Sequence, residues 1–364
     1  YNKLQIERAT TDYSKAKTNY FGYRDAFNFL GEYNFNLDNK IVYGIDNEFD
    51  ASRYPKDYSG GDMREHDEAI ISQYFDLQLR PFEKLYSTFG LRSDEHSTVG
   101  RKTSGRVTAA YILDGNSKIR SSFGAGVRFP AMYDYIYGSS TIVDKGGKLE
   151  ELQSERGLSF DLGYDTFLNN LDLGLNITYF KIEQKNPLFS NARTDWVMRN
   201  GTGRNTSEGV EFNANWKPTN SKFGLNFGYT FTDSYDASTC DPDELAAYTD
   251  NECRLTGNKV AKAKVRVPRH AVETNISYSM NQNLKSFLKG KYISETRDFG
   301  NTNDSWTDQI LTDYFVFDLV HSYNLFDNYK IQIGINNILD EKYQQAHEYS
   351  TMGRTFNFGL RKVY

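Results

Sequence analysis

The sequence predicts an all-β protein, a transmembrane antiparallel up-and-down β-barrel with about sixteen strands visible. Three observations predict it. The final stretch alternates strictly: Phe356, Phe358, Leu360, Lys362 and Tyr364 share one face, and Thr355, Asn357, Gly359, Arg361 and Val363 share the other. Period-two alternation marks a strand with one apolar and one wet face. The composition is both aromatic and polar, with 27 Tyr and 25 Phe in 364 residues but only 38% hydrophobic residues and a mean hydropathy of -0.68. A soluble chain this polar has trouble filling a large core, whereas a barrel wall needs one apolar face only. Finally, the connections between period-two runs alternate between short and long along the chain.

The strands follow in order. A first one lies near Leu4, Gln5 and Ile6. The next sets Phe27, Phe29, Tyr33 and Phe35 against Asn28, Glu32 and Asn34, and another carries Ile41, Tyr43 and Ile45. Ala69, Ile71, Phe75, Leu77 and Leu79 oppose Ser72, Asp76, Gln78 and Arg80. Leu85, Phe89 and Leu91, then Val107, Ala109 and Tyr111, then Ile119, Phe123 and Val127 continue the series. Further apolar faces are Leu158 to Tyr164, Leu171 to Tyr179, Val210 to Trp216 and Phe223 to Phe231, each at every second residue. Val272, Ile276 and Tyr278, Leu284, Leu288 and Tyr292, Phe315 to Tyr323, and Ile331, Ile333 and Ile335 precede the last strand.

Short connections are expected at 36–39, 81–84, 113–116, 168–170, 217–221, 281–283 and 324–328, all rich in Asp, Asn, Gly or Pro, the residues of tight turns. Long ones are expected at 55–66, 97–103, 128–154, 186–206, 236–264, 295–312 and 339–353. In outer-membrane barrels the turns are short on the periplasmic side and the loops long on the external side. The last strand therefore descends towards the periplasm. Trp216 and Tyr364 fall at short-turn ends, where an aromatic girdle belongs. Glycines recur at lumen-facing positions such as Gly44, Gly90, Gly163, Gly174, Gly228 and Gly334, where they relieve crowding.

The net charge of -5 argues against a nucleic-acid partner, and no apolar run is long enough for a membrane helix. The chain opens at Tyr1-Asn2-Lys3-Leu4 without an initiator Met or signal peptide, so an exported protein is expected to have further residues upstream. Cys240 and Cys253 share one polar connection. They are two free thiols or, in an oxidising envelope compartment, a local disulfide, which is the expectation.

Catalytic patterns are lacking. His66, His96, His270, His321 and His347 are far apart, and there is no H-E-x-x-H, G-x-S-x-G or P-loop. No cofactor is expected, and the protein is expected not to be an enzyme. Asp241, Asp243, Glu244, Asp250 and Glu252 could offer oxygens to Ca²⁺, yet they lack EF-hand spacing and read better as a solvated acidic loop. Candidate ligand-contacting residues are Tyr133, Tyr135, Tyr137, Arg193, Trp196 and Trp306, rigid or charged side chains in long connections.

Several stretches resemble the barrel of TonB-dependent outer-membrane receptors. Gly124-Ala125-Gly126-Val127-Arg128-Phe129-Pro130-Ala131-Met132-Tyr133 resembles that family's G-x-G-F-R-A-P strand exit. Leu152-Gln153-Ser154-Glu155 is similar to its L-K-P-E, departing at Gln153 and Ser154. Glu208-Gly209-Val210-Glu211, with Asn200 before it, resembles the G-x-E segment, and Pro268-Arg269-His270 resembles P-R-H. Asn337-Ile338-Leu339-Asp340-Glu341-Lys342-Tyr343 is similar to N-L-F-D-x-x-Y, and Gly353-Arg354-Thr355-Phe356 to the terminal G-R-x-F.

The resemblance implies a barrel of 22 strands, with residues 1–364 forming its C-terminal portion and an N-terminal plug domain and TonB box lying outside this chain. It implies active uptake of a metal chelate, a ferric siderophore or cobalamin, across the outer membrane of a Gram-negative bacterium. The partners would be that chelate, TonB and outer-membrane lipid. A passive diffusion porin of about sixteen strands is the alternative, and an adhesion or structural barrel is a third reading.

Overall fold

The computed structural model describes residues 2–15, 18–54, 64–132, 134, 152–190, 198–200, 204–236, 254–256, 259–302, 305–326 and 328–362. Nine long strands come first: β1 (Asn2–Lys15), β2 (Thr18–Asn34), β3 (Lys40–Tyr54), β4 (Arg64–Phe82), β5 (Leu85–His96), β6 (Gly100–Ile112), β7 (Ser117–Arg128), β8 (Glu155–Leu168) and β9 (Leu173–Lys185). A small hairpin of β10 (Leu188–Ser190) and β11 (Met198–Asn200) leads to β12 (Arg204–Trp216) and β13 (Phe223–Asp236). Two short pieces, β14 (Arg254–Thr256) and β15 (Lys259–Ala263), precede β16 (His270–Ser279) and β17 (Leu284–Ile293). The hairpin β18 (Thr296–Thr302) and β19 (Ser305–Leu311) precedes β20 (Tyr314–Leu325) and β21 (Tyr329–Asn336). A last hairpin, β22 (Gln344–Ala346) and β23 (Tyr349–Ser350), precedes β24 (Thr355–Lys362).

One 18-stranded sheet contains all but the three small hairpins. Every long strand pairs antiparallel with its sequence neighbours, from β1 with β2 through β8 with β9, then β9 with β12, β12 with β13 and β13 with β16. The meander closes with β16–β17–β20–β21–β24. Among the described residues no ladder joins β1 to β24. Nearest-neighbour pairing of this kind follows from the short turns at one end: Leu113 N–H and Asp114 N–H bond the Ser117 carbonyl, and Met280 N–H bonds the Leu284 carbonyl.

At the opposite end most connections are long, although two residues join β1 to β2, with Lys15 opposite Thr18, and one expectation is corrected. Sequence reading expects a long connection over 97–103, but β5 and β6 are joined by residues 97–99 alone, with His96 opposite Gly100. Gly100 supplies the left-handed backbone at φ 71 that a tight turn needs, and Nδ1 of His96 accepts the Thr98 and Val99 N–H groups at 3.1 and 3.3 Å. The small hairpins within 188–200, 296–311 and 344–350 were also not expected. Their strands are too short for a period-two signal to rise above the surrounding polar residues.

The wall is one layer thick. Among the described residues the only buried hydrophobic side chains are Ala26, Leu152, Leu311 and Tyr314. Large apolar residues instead stand exposed along one face, among them Phe27, Ile45, Phe89, Phe123, Leu162, Ile177, Ile333 and Phe358. An apolar belt this wide would drive aggregation in water, so its neighbour is lipid. Cross-strand aromatics lie over small residues: the Tyr43 ring lies opposite Gly31, 2.5 Å from where a Cβ would be.

Candidate functional site

The polar face is held by lateral ion pairs and hydrogen bonds between neighbouring strands. Arg24 of β2 donates Nε and Nη2 to the two carboxylate oxygens of Asp50 on β3, both at 2.6 Å. Arg92 of β5 reaches Asp46 at 3.0 Å and Asp94 at 2.8 Å, while lying over the Tyr74 ring. Ser72 donates to Asp94 at 2.6 Å. Further round, Arg106 pairs with Asp76, and Arg120 reaches Asp165 and Thr178. Asn176 bonds Asp165, and Asn213 bonds Asn176. Each exposed pair adds little stability. Collectively they leave a hydrated lining of fixed dipoles rather than an apolar core.

Near the long-loop end two imidazoles flank one carboxylate. Nε2 of His66 and Nε2 of His96 each lie 3.5 Å from Oε2 of Glu68. The trio has the residue types of a metal site, but its geometry argues otherwise. Nδ1 of His96 already accepts two backbone N–H groups, which leaves Nε2 as the ring nitrogen that faces Glu68. The His96 ring is stacked on Phe129 with centroids 4.6 Å apart. Among the described residues no group of three or more His, Cys, Asp or Glu is arranged to hold a metal ion.

The residues that stood out as motifs gather where strands leave the wall for the long connections. Arg128 Nη1 donates to Glu155 Oε2 at 2.9 Å, and Glu155 Oε1 accepts the Leu188 N–H at 2.6 Å. Asn200 clamps two connections at once: its Oδ1 accepts the Gln153 N–H at 2.7 Å, and its Nδ2 donates to the carbonyls of Gln153 and Asn186. Asn337 is left-handed at φ 51. Its amide accepts the Glu341 N–H and donates to the Glu341 and Met352 carbonyls, while its own N–H bonds Asp318. Asp340 accepts the Arg354 N–H, and Arg354 Nε returns to the Ile338 carbonyl. Gly209 is required by contact, since a Cβ there would collide with the Phe231 carbonyl oxygen.

Sequence reasoning missed one hub. The fully buried Asp298 carboxylate accepts Arg266 Nε at 2.8 Å and the His347 N–H at 2.6 Å. Arg266 N–H in turn bonds the Arg297 carbonyl. One side chain so joins three consecutive long connections, and beside it a cavity of about 630 Å³ opens between Leu311, Asp340, Tyr343, His347 and Thr351. Nothing in a single strand's periodicity signals a contact between residues this far apart in the chain.

Of the predicted contact residues, Tyr133, Tyr135, Tyr137, Arg193 and Trp196 lie outside the described residues, as do Cys240, Cys253 and Tyr364. The acidic stretch with Asp241, Asp243, Glu244, Asp250 and Glu252 lies outside them too. Trp306 sits on β19 opposite Asn301, in the hairpin that carries Asp298. Phe356, Phe358 and Leu360 are 76, 73 and 61% exposed, on the face they share with Ile335, Ile333 and Ile331 of β21.

A family model described as TonB dependent receptor-like, beta-barrel, matches residues 1–338. Among solved structures, the chain is similar to the FrpB iron transporter from Neisseria meningitidis (F3-3 variant), at 13% identity and a TM-score of 0.73, covering 95% of this chain and 56% of that one. It is similar to a mutant of the ferric enterobactin receptor PfeA from Pseudomonas aeruginosa, at 15% identity and a TM-score of 0.70, covering 95% and 54%. It is also similar to the pyoverdine outer membrane receptor FpvA from Pseudomonas aeruginosa bound to pyoverdine, at 14% identity and a TM-score of 0.70, covering 95% and 53%. Identities this low establish the shared fold, and the chain spans a little over half the length of each. No curated protein sequence matches it.

Proposed function

We propose that this chain, which belongs to the TonB dependent receptor-like β-barrel family, forms wall and external rim of an active-uptake receptor in the outer membrane of a Gram-negative bacterium. The cargo is a metal chelate, with a ferric siderophore favoured over cobalamin. The observation that carries this reading is the family match across 1–338 on a one-layer sheet whose long connections are tied together at one end. A pore for passive diffusion needs only an open lumen. A receptor must present a structured rim, and clamps such as Asn200, Asn337 and Asp298 supply one. Captured chelate would meet a lining of alternating cations and carboxylates, among them Arg24–Asp50, Arg92–Asp46 and, at the long-loop end, Arg128–Glu155.

In this reading the protein makes and breaks no covalent bond of the cargo. Energy enters through TonB acting on a plug domain N-terminal to the barrel, and further strands complete the 22-stranded barrel. Titrating the purified full-length protein with ferric catecholate, ferric hydroxamate and cobalamin, read by quenching of intrinsic fluorescence, tests the choice of cargo. Saturable binding of one ferric chelate class, with cobalamin inert, is expected. Saturable binding of cobalamin alone would overturn the siderophore assignment.

A further inference from the structure

The outward face carries, beside its apolar belt, a row of like charges. Arg156 of β8 lies directly opposite Lys185 of β9, and Lys185 lies directly opposite Arg204 of β12. All three share the face of Phe160, Tyr179 and Val210, being an even number of residues from them along each strand. They stand at the long-loop ends of their strands. Directly opposed side chains in an antiparallel pair sit about 5 Å apart at Cβ, and like charges there repel.

The acids nearby only partly relieve this. Arg204 pairs with Glu183 at 3.4 Å, and Lys181 pairs with Glu208 at 3.1 Å. No ion pair among the described residues engages Arg156 or Lys185. A sheet that sets three cations side by side above an apolar belt is left short of an anion.

We propose that the Arg156–Lys185–Arg204 row binds the phosphate of an anionic lipid headgroup in the external leaflet, an interaction that rests on the outer-membrane reading above. The occupant is a lipid rather than a soluble anion because the row continues the belt formed by Phe160, Leu162, Ile177 and Tyr179, all exposed. An acyl chain lying along that belt ends, going outward, at the height of the row. Arg156 and Arg204 can each offer two parallel N–H groups to one phosphate, and Lys185 adds a point charge between them.

The test uses the full-length protein inserted into phosphatidylcholine bilayers containing a minor fraction of phosphatidic acid. Lipid that stays bound after mild detergent extraction is counted by native mass spectrometry. Each basic residue near an anionic membrane surface is worth about fivefold in binding. The wild-type protein is therefore expected to retain phosphatidic acid at least about fivefold over its bulk proportion. The triple variant Arg156→Gln, Lys185→Gln, Arg204→Gln should lose that enrichment, and Arg156→Lys should keep it.

With the opposed charges gone, the triple variant should unfold no earlier than wild type in uncharged detergent, which separates lost lipid from lost structure. Equal enrichment in wild type and triple variant would overturn the proposal. So would inorganic phosphate displacing the lipid from wild-type protein, which would mark the row as a free-anion site. Failure of the protein to enter bilayers at all would overturn the outer-membrane reading itself, a different result from insertion without enrichment.

Discussion

Asn337 shows how one residue type can be demanded twice. Its backbone is left-handed, a conformation Asn tolerates better than most residues, and its amide makes three of the bonds that fix the base of the last long connection. Asn337→Ala should cost about 1–3 kcal/mol, because buried backbone groups lose their partners. Asn337→Gly, which keeps the backbone free to adopt the same angle, should recover part of that. Urea-driven unfolding of the protein from lipid vesicles measures both, and equal stability for all three proteins would refute the clamp. The importance of this residue was legible as part of N-I-L-D. The contact Asp298–His347 was not legible, because it depends on which loops the register of distant strands brings together. His96 lay between the two cases. Its place at the end of β5 was readable, but its role in shortening the following turn required the Nδ1 geometry.

At the scale of elements, the period-two pattern located the long strands because each is exposed to two solvents, apolar on one side and polar on the other. β24 is the sharpest case, with Phe356, Phe358 and Leu360 opposite Ile335, Ile333 and Ile331. A charged residue facing lipid near mid-membrane costs roughly 2–4 kcal/mol. Phe358→Arg should therefore impair folding into vesicles by about that amount, whereas unchanged folding efficiency and midpoint would place this face away from lipid. The pattern failed for 97–99 and for the small hairpins, where turn chemistry and loop-to-loop bonds decide the backbone. The connection that holds Cys240 and Cys253 calls for its own check. A local disulfide there predicts no added label when unreduced protein is alkylated and weighed intact, and two labels would show free thiols.

Among the described residues the sheet runs as one wall from β1 to β24, with no ladder joining the two. Sixteen long strands form it, a number that alone would also suit a diffusion porin. Closure distinguishes the two. A membrane sheet cannot leave its edges unpaired in hydrocarbon, so in the receptor reading strands N-terminal to β1 complete the circle and β24 pairs with the first of them. A cryo-EM structure of the full-length protein should show that arrangement, and a hydrogen-bonded ladder between β1 and β24 would contradict it. The fold at this scale was legible from loop parity, since alternation of short and long connections fixes an up-and-down order without any side-chain detail. The identity of the proposed cargo was not legible, because no periodicity encodes the mutual positions of side chains on the long connections.

The central claim is active uptake, and energised transport tests it most directly. The measurement is accumulation of radiolabelled ferric chelate at nanomolar concentration by cells expressing the full-length protein as their only receptor, with TonB present or deleted. The account predicts saturable accumulation that disappears when TonB is deleted or the proton gradient is collapsed. Accumulation that persists without TonB, and rises in proportion to external concentration for unrelated small solutes as well, would contradict it and identify a passive pore.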